Sequence, residues 1–131
     1  MNKAAGTFDV KINPLTPYNT SADAKVARMS IDKEFHGDLE AISKGEMLSA
    51  GTDTKGSAGY VAIERVTGSL NGRRGAFVLQ HNATMTRGEP YLNIIVVPDS
   101  GTEGLVGLSG TLHIVIDKGK HSYEFQYRLP D

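Results

Sequence analysis

The chain has 131 residues, with 15 glycines, no cysteine and no tryptophan, and 14 basic residues stand against 15 acidic ones. This length fits one domain with a sizeable core, and the lack of cysteine excludes disulfides, thiolate metal ligands and cysteine nucleophiles. The formal charge of −1 does not create the field that binding to nucleic acid or to an anionic membrane requires.

The N-terminal residues contain no apolar run of the kind that signal peptides carry. No apolar stretch of the sequence is long enough to span a membrane. We therefore expect a cytoplasmic protein with a single domain over residues 1–131 and with no nucleic-acid or membrane partner.

Hydrophobic residues recur at every second position along most of the chain, as in half-buried antiparallel strands. Met29, Ile31 and Phe35, for example, alternate with polar side chains. A helical interpretation of residues 40–50 is disfavoured by Gly45 at its centre. The pattern predicts eight strands, near residues 4–12, 26–36, 39–50, 58–68, 75–86, 91–98, 110–117 and 121–129.

Glycine-containing turns separate these strands. Asn71–Gly72 suits a tight hairpin, Gly37–Asp38 a mirror-image turn, and Asp117–Gly119 a turn with a glycine bulge. Glycine also recurs at every third residue over 101–110, which predicts a compact turn or 3₁₀ segment lying against the sheet.

The elements predict an all-β protein with little or no helix, folded as an eight-stranded antiparallel up-and-down β-barrel. Closing the sheet into a barrel removes the edge strands that an open meander would expose. A sandwich of two sheets is the alternative, and the continuous order of hairpins favours the barrel. An eight-stranded barrel has an interior just wide enough to be filled by side chains or to hold one small ligand.

Four runs of residues carry a family resemblance: 35–41 (FHGDLEA), 56–62 (GSAGYVA), 77–81 (FVLQH) and 97–102 (VPDSGT). Together they resemble a family of small bacterial proteins known as domain of unknown function 3224, over nearly the whole chain. That family in turn resembles the allene oxide cyclase and dirigent barrels, with which it shares a glycine-punctuated run, here residues 101–110. The resemblance implies an eight-stranded barrel that often self-associates and holds a small-molecule cavity in members of assigned activity. It transfers no catalytic residue, because one fold commonly hosts unrelated functions.

Two residues are candidates for proton transfer. His81 shares a strand face with Phe77, Leu79 and Met85, and an imidazole in an apolar cavity can both donate and accept hydrogen bonds. The alternative for His81 is a buried histidine that only satisfies its neighbours. Glu64 shares a face with Tyr60, and if that face is interior, burial would raise its pKa as a general base requires. Because the opposite face of this strand is also partly apolar, a solvated Glu64 is equally compatible with the sequence.

The predicted ligand-binding residues lie on the faces that would turn into the barrel: Tyr60, Glu64, Phe77, Leu79, His81, Met85 and Tyr123. Tyrosines such as Tyr60 and Tyr123 combine an apolar body with a hydroxyl that can orient a ligand. The four histidines are His36, His81, His113 and His121, and none is paired at a spacing typical of metal ligands. We expect neither a metal nor another cofactor.

The strand over 91–98 is apolar on both faces, with Ile94 and Val96 on one and Ile95 and Val97 on the other. Such a strand usually packs against a second layer, so we expect a homo-oligomer. The sequence favours non-covalent binding of a small, mostly apolar molecule in the barrel, without an assigned reaction. The alternatives are an isomerase or cyclase that moves a proton with His81 or Glu64, and a filled barrel that serves only in assembly.

Overall fold

Eight antiparallel strands close into a barrel in the computed structural model of the chain, which describes residues 1–130. Each strand pairs with its neighbours in sequence, and the last strand pairs with the first. In chain order they are β1 (Asn2–Leu15), β2 (Val26–Gly37), β3 (Leu39–Gly51), β4 (Ala58–Leu70), β5 (Arg73–Thr86), β6 (Glu89–Val96), β7 (Ser109–Asp117) and β8 (Lys120–Arg128). The predicted barrel is confirmed and the sandwich is wrong. Among residues 1–130, no helix is long and apolar enough to cross a membrane.

The register of β4 decides which of its two faces lies inside the barrel. Ala62, Glu64 and Val66 are buried, whereas Val61 and Ile63 between them are exposed. Because successive side chains of a strand point to opposite faces, the face that carries Glu64 is the interior one.

Three of the hairpins have tight two-residue turns. Asn71–Gly72, Arg87–Gly88 and Lys118–Gly119 all have positive φ at both positions, as a turn that matches the twist of the flanking strands requires. Asp117 pairs directly with Lys120, so the predicted glycine bulge after β7 is wrong and the turn is one residue shorter.

One end of the barrel is filled by side chains. A 3₁₀ turn (Glu103–Leu105), within the predicted glycine-rich segment, buries Leu105 at this end. Deeper in the barrel, the rings of Phe77 and Phe125 stack with their centroids 5.8 Å apart. Tyr127 is also buried here, and its hydroxyl accepts a hydrogen bond from the Asn71 amide at 2.6 Å.

The other end of the barrel is open. Ile12, Met85 and Leu92 occupy inward-facing positions. Each of them either pairs with a buried residue of the neighbouring strand or lies on the same face as buried residues of its own strand. Their exposed fractions nevertheless lie between 43 and 47%. The inner surface at this end is therefore apolar and accessible to solvent.

Candidate functional site

Glu64 lies midway along β4 with its side chain entirely inside the barrel, at 0% exposure. It pairs in register with Gly45 on β3. A Cβ at position 45 would come within 2.8 Å of the Glu64 Cβ and would also strike the carbonyl oxygen of Ile63. Glycine at this position is what allows the two strands to approach where the carboxylate turns inward.

Three side chains from three different strands donate hydrogen bonds to the Glu64 carboxylate. Lys33 Nζ lies 2.7 Å from Oε2, and Ser43 Oγ lies 2.7 Å from Oε1. His81 Nε2 lies 2.5 Å from Oε2. All four residues are buried, and we call them the polar cluster. A buried carboxylate needs such complete pairing, since transferring a lone charge out of water is very costly.

Lys33 also packs against aromatic rings inside the barrel. Its ammonium nitrogen lies 5.1 Å from the centroid of Phe8 and 5.7 Å from that of Phe35. The negative face of an aromatic ring attracts a cation at such distances. The two rings therefore add an attraction to the ammonium group beside its hydrogen bond to Glu64.

The pKa of Glu64 is shifted in the direction opposite to the one predicted from the sequence. Burial alone would raise the pKa of this carboxyl group, but the hydrogen bond from His81, the positive charge of Lys33 and the hydrogen bonds from Lys33 and Ser43 outweigh burial. The pKa falls from its ordinary value of 4.5 to about 2. The predicted rise is therefore wrong, because the sequence did not reveal the partners. A carboxylate this weakly basic is a poor general base near neutral pH.

A pocket of about 470 Å³ opens at the unfilled end of the barrel. We call it the mouth pocket; its lining includes Met47, Ser49, Tyr60, Ala83, Met85, Pro90 and Leu92. On β5, His81 is the next inward-facing residue below Ala83. On β4, Glu64 is the second inward-facing residue below Tyr60. The mouth pocket thus has mainly apolar walls and lies directly above the polar cluster.

Tyr60 connects these two regions. It lines the mouth pocket, and its ring centroid lies 6.2 Å from that of His81. Burial raises the pKa of Tyr60, and the nearby charge of Glu64 raises it further. The Tyr60 hydroxyl therefore stays protonated at neutral pH.

The predicted ligand-binding residues separate into three groups in the structure. Tyr60 and Met85 line the mouth pocket, while Glu64 and His81 belong to the polar cluster beneath it. Phe77, Leu79 and Tyr123 are packed in the filled part of the core.

The hydroxyl of Tyr123, which the sequence suggested could orient a ligand, makes hydrogen bonds within the protein. It accepts a hydrogen bond from the Leu39 backbone N–H at 2.9 Å and donates to the His36 carbonyl oxygen at 3.0 Å. These contacts fasten β8 to the turn between β2 and β3.

Sequence reasoning missed Lys33 and Ser43. The alternation did indicate that Lys33 faces inward, because it lies between Ile31 and Phe35 on the apolar face of β2. Ser43 likewise lies on the face of β3 that carries Ala41 and Met47. A lysine on a strand is normally solvated, and only the pairing of β2 with β3 and of β3 with β4 brings it next to Glu64.

A group of potential metal ligands lies on the outer surface, away from this site. Asp9, Glu34 and His36 offer ligand atoms within 4.8 Å of one another across β1 and β2. All three are exposed, and His36 Nε2 lies 3.3 Å from the Asp9 carboxylate. Exposed polar groups of this kind pair with one another and with water on the surface of many strands.

Comparison with known proteins identifies the family. The family model described as "Protein of unknown function (DUF3224)" matches residues 4–127. The chain belongs to the DUF3224 family. The predicted family resemblance is confirmed over nearly the whole chain.

A solved structure of another DUF3224 protein has the same fold. This protein of unknown function from Shewanella oneidensis MR-1 is 52% identical in sequence, with a TM-score of 0.95. The match covers 100% of this chain and 98% of the other. No curated protein matches the sequence. The predicted likeness to allene oxide cyclase and dirigent barrels stays a prediction.

The polar cluster predicts a pH dependence of stability. Because folding lowers the pKa of Glu64 from 4.5 to about 2, its contribution is fully present above pH 4.5 and is lost as the pH falls toward 2. The size of this contribution is roughly 3 kcal/mol. We expect Glu64 to contribute a fall of this size to the free energy of unfolding, measured by urea denaturation, over that range.

The matched control is the double variant Lys33→Met/Glu64→Gln, which removes both charges with little change in side-chain length. Its other carboxyl groups titrate as in the wild type, so its stability should fall by roughly 3 kcal/mol less between pH 4.5 and 2. Parallel curves for the two proteins would contradict the assignment of a strongly acidic Glu64.

Proposed function

We propose that this DUF3224 protein binds a small, mostly apolar molecule non-covalently in the mouth pocket. The observation that carries the proposal is the contrast between the two ends of the barrel. One end is packed with side chains, whereas inward-facing apolar residues at the other end surround about 470 Å³ of accessible space. Ligand pockets are commonly of this size and mainly apolar, with a few polar groups that fix orientation.

The nature of the polar groups supports binding over proton transfer. Glu64 accepts hydrogen bonds from Lys33, Ser43 and His81, and its pKa of about 2 makes it a weak base. His81 is tied to the same carboxylate through Nε2. These contacts hold the polar cluster in one arrangement, as the floor of a binding site requires.

Binding can be measured with N-phenyl-1-naphthylamine, an uncharged apolar probe that becomes fluorescent when it leaves water. We expect saturable binding to the wild type. Ala83→Phe adds a ring inside the mouth pocket and should weaken binding of the probe about tenfold, which corresponds to a loss of about 1.4 kcal/mol of binding free energy.

The matched control for this experiment is Thr67→Phe, which adds the same ring to an exposed, outward-facing position of β4. We expect this variant to bind the probe as the wild type does. The proposal fails if the wild type does not bind the probe or if Ala83→Phe binds it with unchanged affinity.

We further propose that the chain self-associates through an outer apolar patch formed by Leu48, Val61 and Ile63. Each of these outward-facing side chains is about half exposed, and Leu48 is paired in register with Val61. Ile95 on β6 and Val97 just after it, where the sequence predicted a contact surface, are already half-buried. Adjacent exposed apolar side chains of this kind favour contact with another apolar surface, and a second copy supplies an identical one.

Sedimentation velocity tests this part of the proposal. We expect the wild type to sediment as a species larger than its 14.1 kDa chain. Ile63→Lys should return it to the monomer, because a charge on the patch would be desolvated in the contact. The control His113→Lys alters an exposed position on β7 and should leave assembly intact. A monomeric wild type, or assembly that survives Ile63→Lys, would exclude the patch as the interface.

A further inference from the structure

The ring nitrogen of His81 that does not bond Glu64 has no hydrogen-bond partner among residues 1–130. His81 is 4% exposed, and its Nδ1 atom is buried without a hydrogen bond to any other group in residues 1–130. Buried polar atoms are satisfied in the great majority of cases, and leaving one unpaired costs about 1–3 kcal/mol. Such an atom next to a pocket is a candidate contact for a ligand.

The hydrogen-bond geometry fixes which kind of partner Nδ1 needs. Glu64 is ionised and can only accept hydrogen bonds, so His81 Nε2, 2.5 Å from Oε2, carries a proton and donates it. The charges of Lys33 and Glu64 already balance. A second proton on His81 would place an unpaired N–H and a net positive charge inside the barrel. The ring is therefore neutral, and its Nδ1 is a hydrogen-bond acceptor.

The position of His81 relates this acceptor to the mouth pocket. It is the next inward residue below Ala83, which lines the pocket, and its ring is adjacent to that of Tyr60 in the pocket wall. The walls above it are mainly apolar side chains. A molecule that enters the pocket with its polar end first would bring that end toward His81.

We propose that the molecule bound in the mouth pocket is uncharged and donates one hydrogen bond, from a hydroxyl or N–H group, to Nδ1 of His81. This inference rests on the proposed binding function and specifies the ligand class. A carboxylate ligand is disfavoured, since it offers no hydrogen to Nδ1 and would bring a second negative charge close to Glu64.

Two isomeric probes test the donor requirement. Octan-1-ol and heptyl methyl ether have the same atoms, but only the alcohol can donate a hydrogen bond. Displacement of bound N-phenyl-1-naphthylamine gives the affinity of each. A net hydrogen bond of about 0.5–1.5 kcal/mol corresponds to roughly two- to tenfold tighter binding of the alcohol to the wild type. The more water-soluble alcohol should bind more weakly than the ether if the pocket offers no acceptor.

Two variants assign the preference to His81. In His81→Phe, which keeps a ring but removes Nδ1, the preference for the alcohol should disappear. In Thr67→Phe, whose added ring lies on the outer face of β4, the preference should persist. A preference for the alcohol that persists in His81→Phe would overturn the proposal.

A measurement on the wild type keeps the test decisive if His81→Phe does not fold. In protein labelled with ¹⁵N-histidine, the Nδ1 resonance of His81 should shift when octan-1-ol is added and stay in place with the ether. An unshifted resonance at saturating alcohol would overturn the proposal.

The outcomes also separate this inference from the proposed function. If neither isomer binds, the proposed function itself fails. If the alcohol binds no more tightly than the ether and Ala83→Phe weakens the binding of both, the mouth pocket is a binding site and only the donor requirement is wrong.

Discussion

A charged carboxylate inside a narrow β-barrel is the constraint around which this protein is organised. Glu64 is fully buried, and the barrel holds it by converging Lys33, Ser43 and His81 from three other strands. Pairing of this kind adds little net stability compared with an apolar core, but loss of one partner leaves an uncompensated charge and is strongly destabilising. The four side chains must therefore keep a single arrangement.

This cluster divides the interior of the barrel into two parts. Below it, aromatic and aliphatic side chains fill the space, and Leu105 of the 3₁₀ turn contributes to the plug at that end. Above it, the apolar walls enclose the mouth pocket. The polar cluster thus lies beneath a pocket with mainly apolar walls, and the proposed binding of a small molecule rests on this arrangement.

The alternation of apolar and polar residues predicted all eight strands, and the continuous order of hairpins favoured their closure into a barrel. The alternation could not decide which face of β4 is interior, because Val61 and Ile63 on the outer face are as apolar as the residues inside. Lys33 was missed for a related reason. Its place between Ile31 and Phe35 marks it as inward, but lysine is rarely buried without a partner, and its partner is 31 residues away.

The location of the mouth pocket also could not be predicted from the sequence. Phe77 and Met85 lie on the same face of β5, yet one is in the filled core and the other lines the pocket. The difference depends on which end of the barrel the 3₁₀ turn closes, and strand periodicity carries no information about that. The face on which a residue lies could be predicted from its own strand. Its position along the barrel axis, in the filled core or at the open end, could be known only from the complete barrel.

The protonation of His81 is central to this site, because Nε2 donates a hydrogen bond to Glu64 and Nδ1 is left as an acceptor. Two-dimensional ¹H–¹⁵N NMR of the ligand-free protein at neutral pH, with ¹⁵N-labelled histidine, tests it most directly. We expect a protonated Nε2 and an unprotonated Nδ1 for His81. A proton on Nδ1, whether alone or together with one on Nε2, would contradict this expectation.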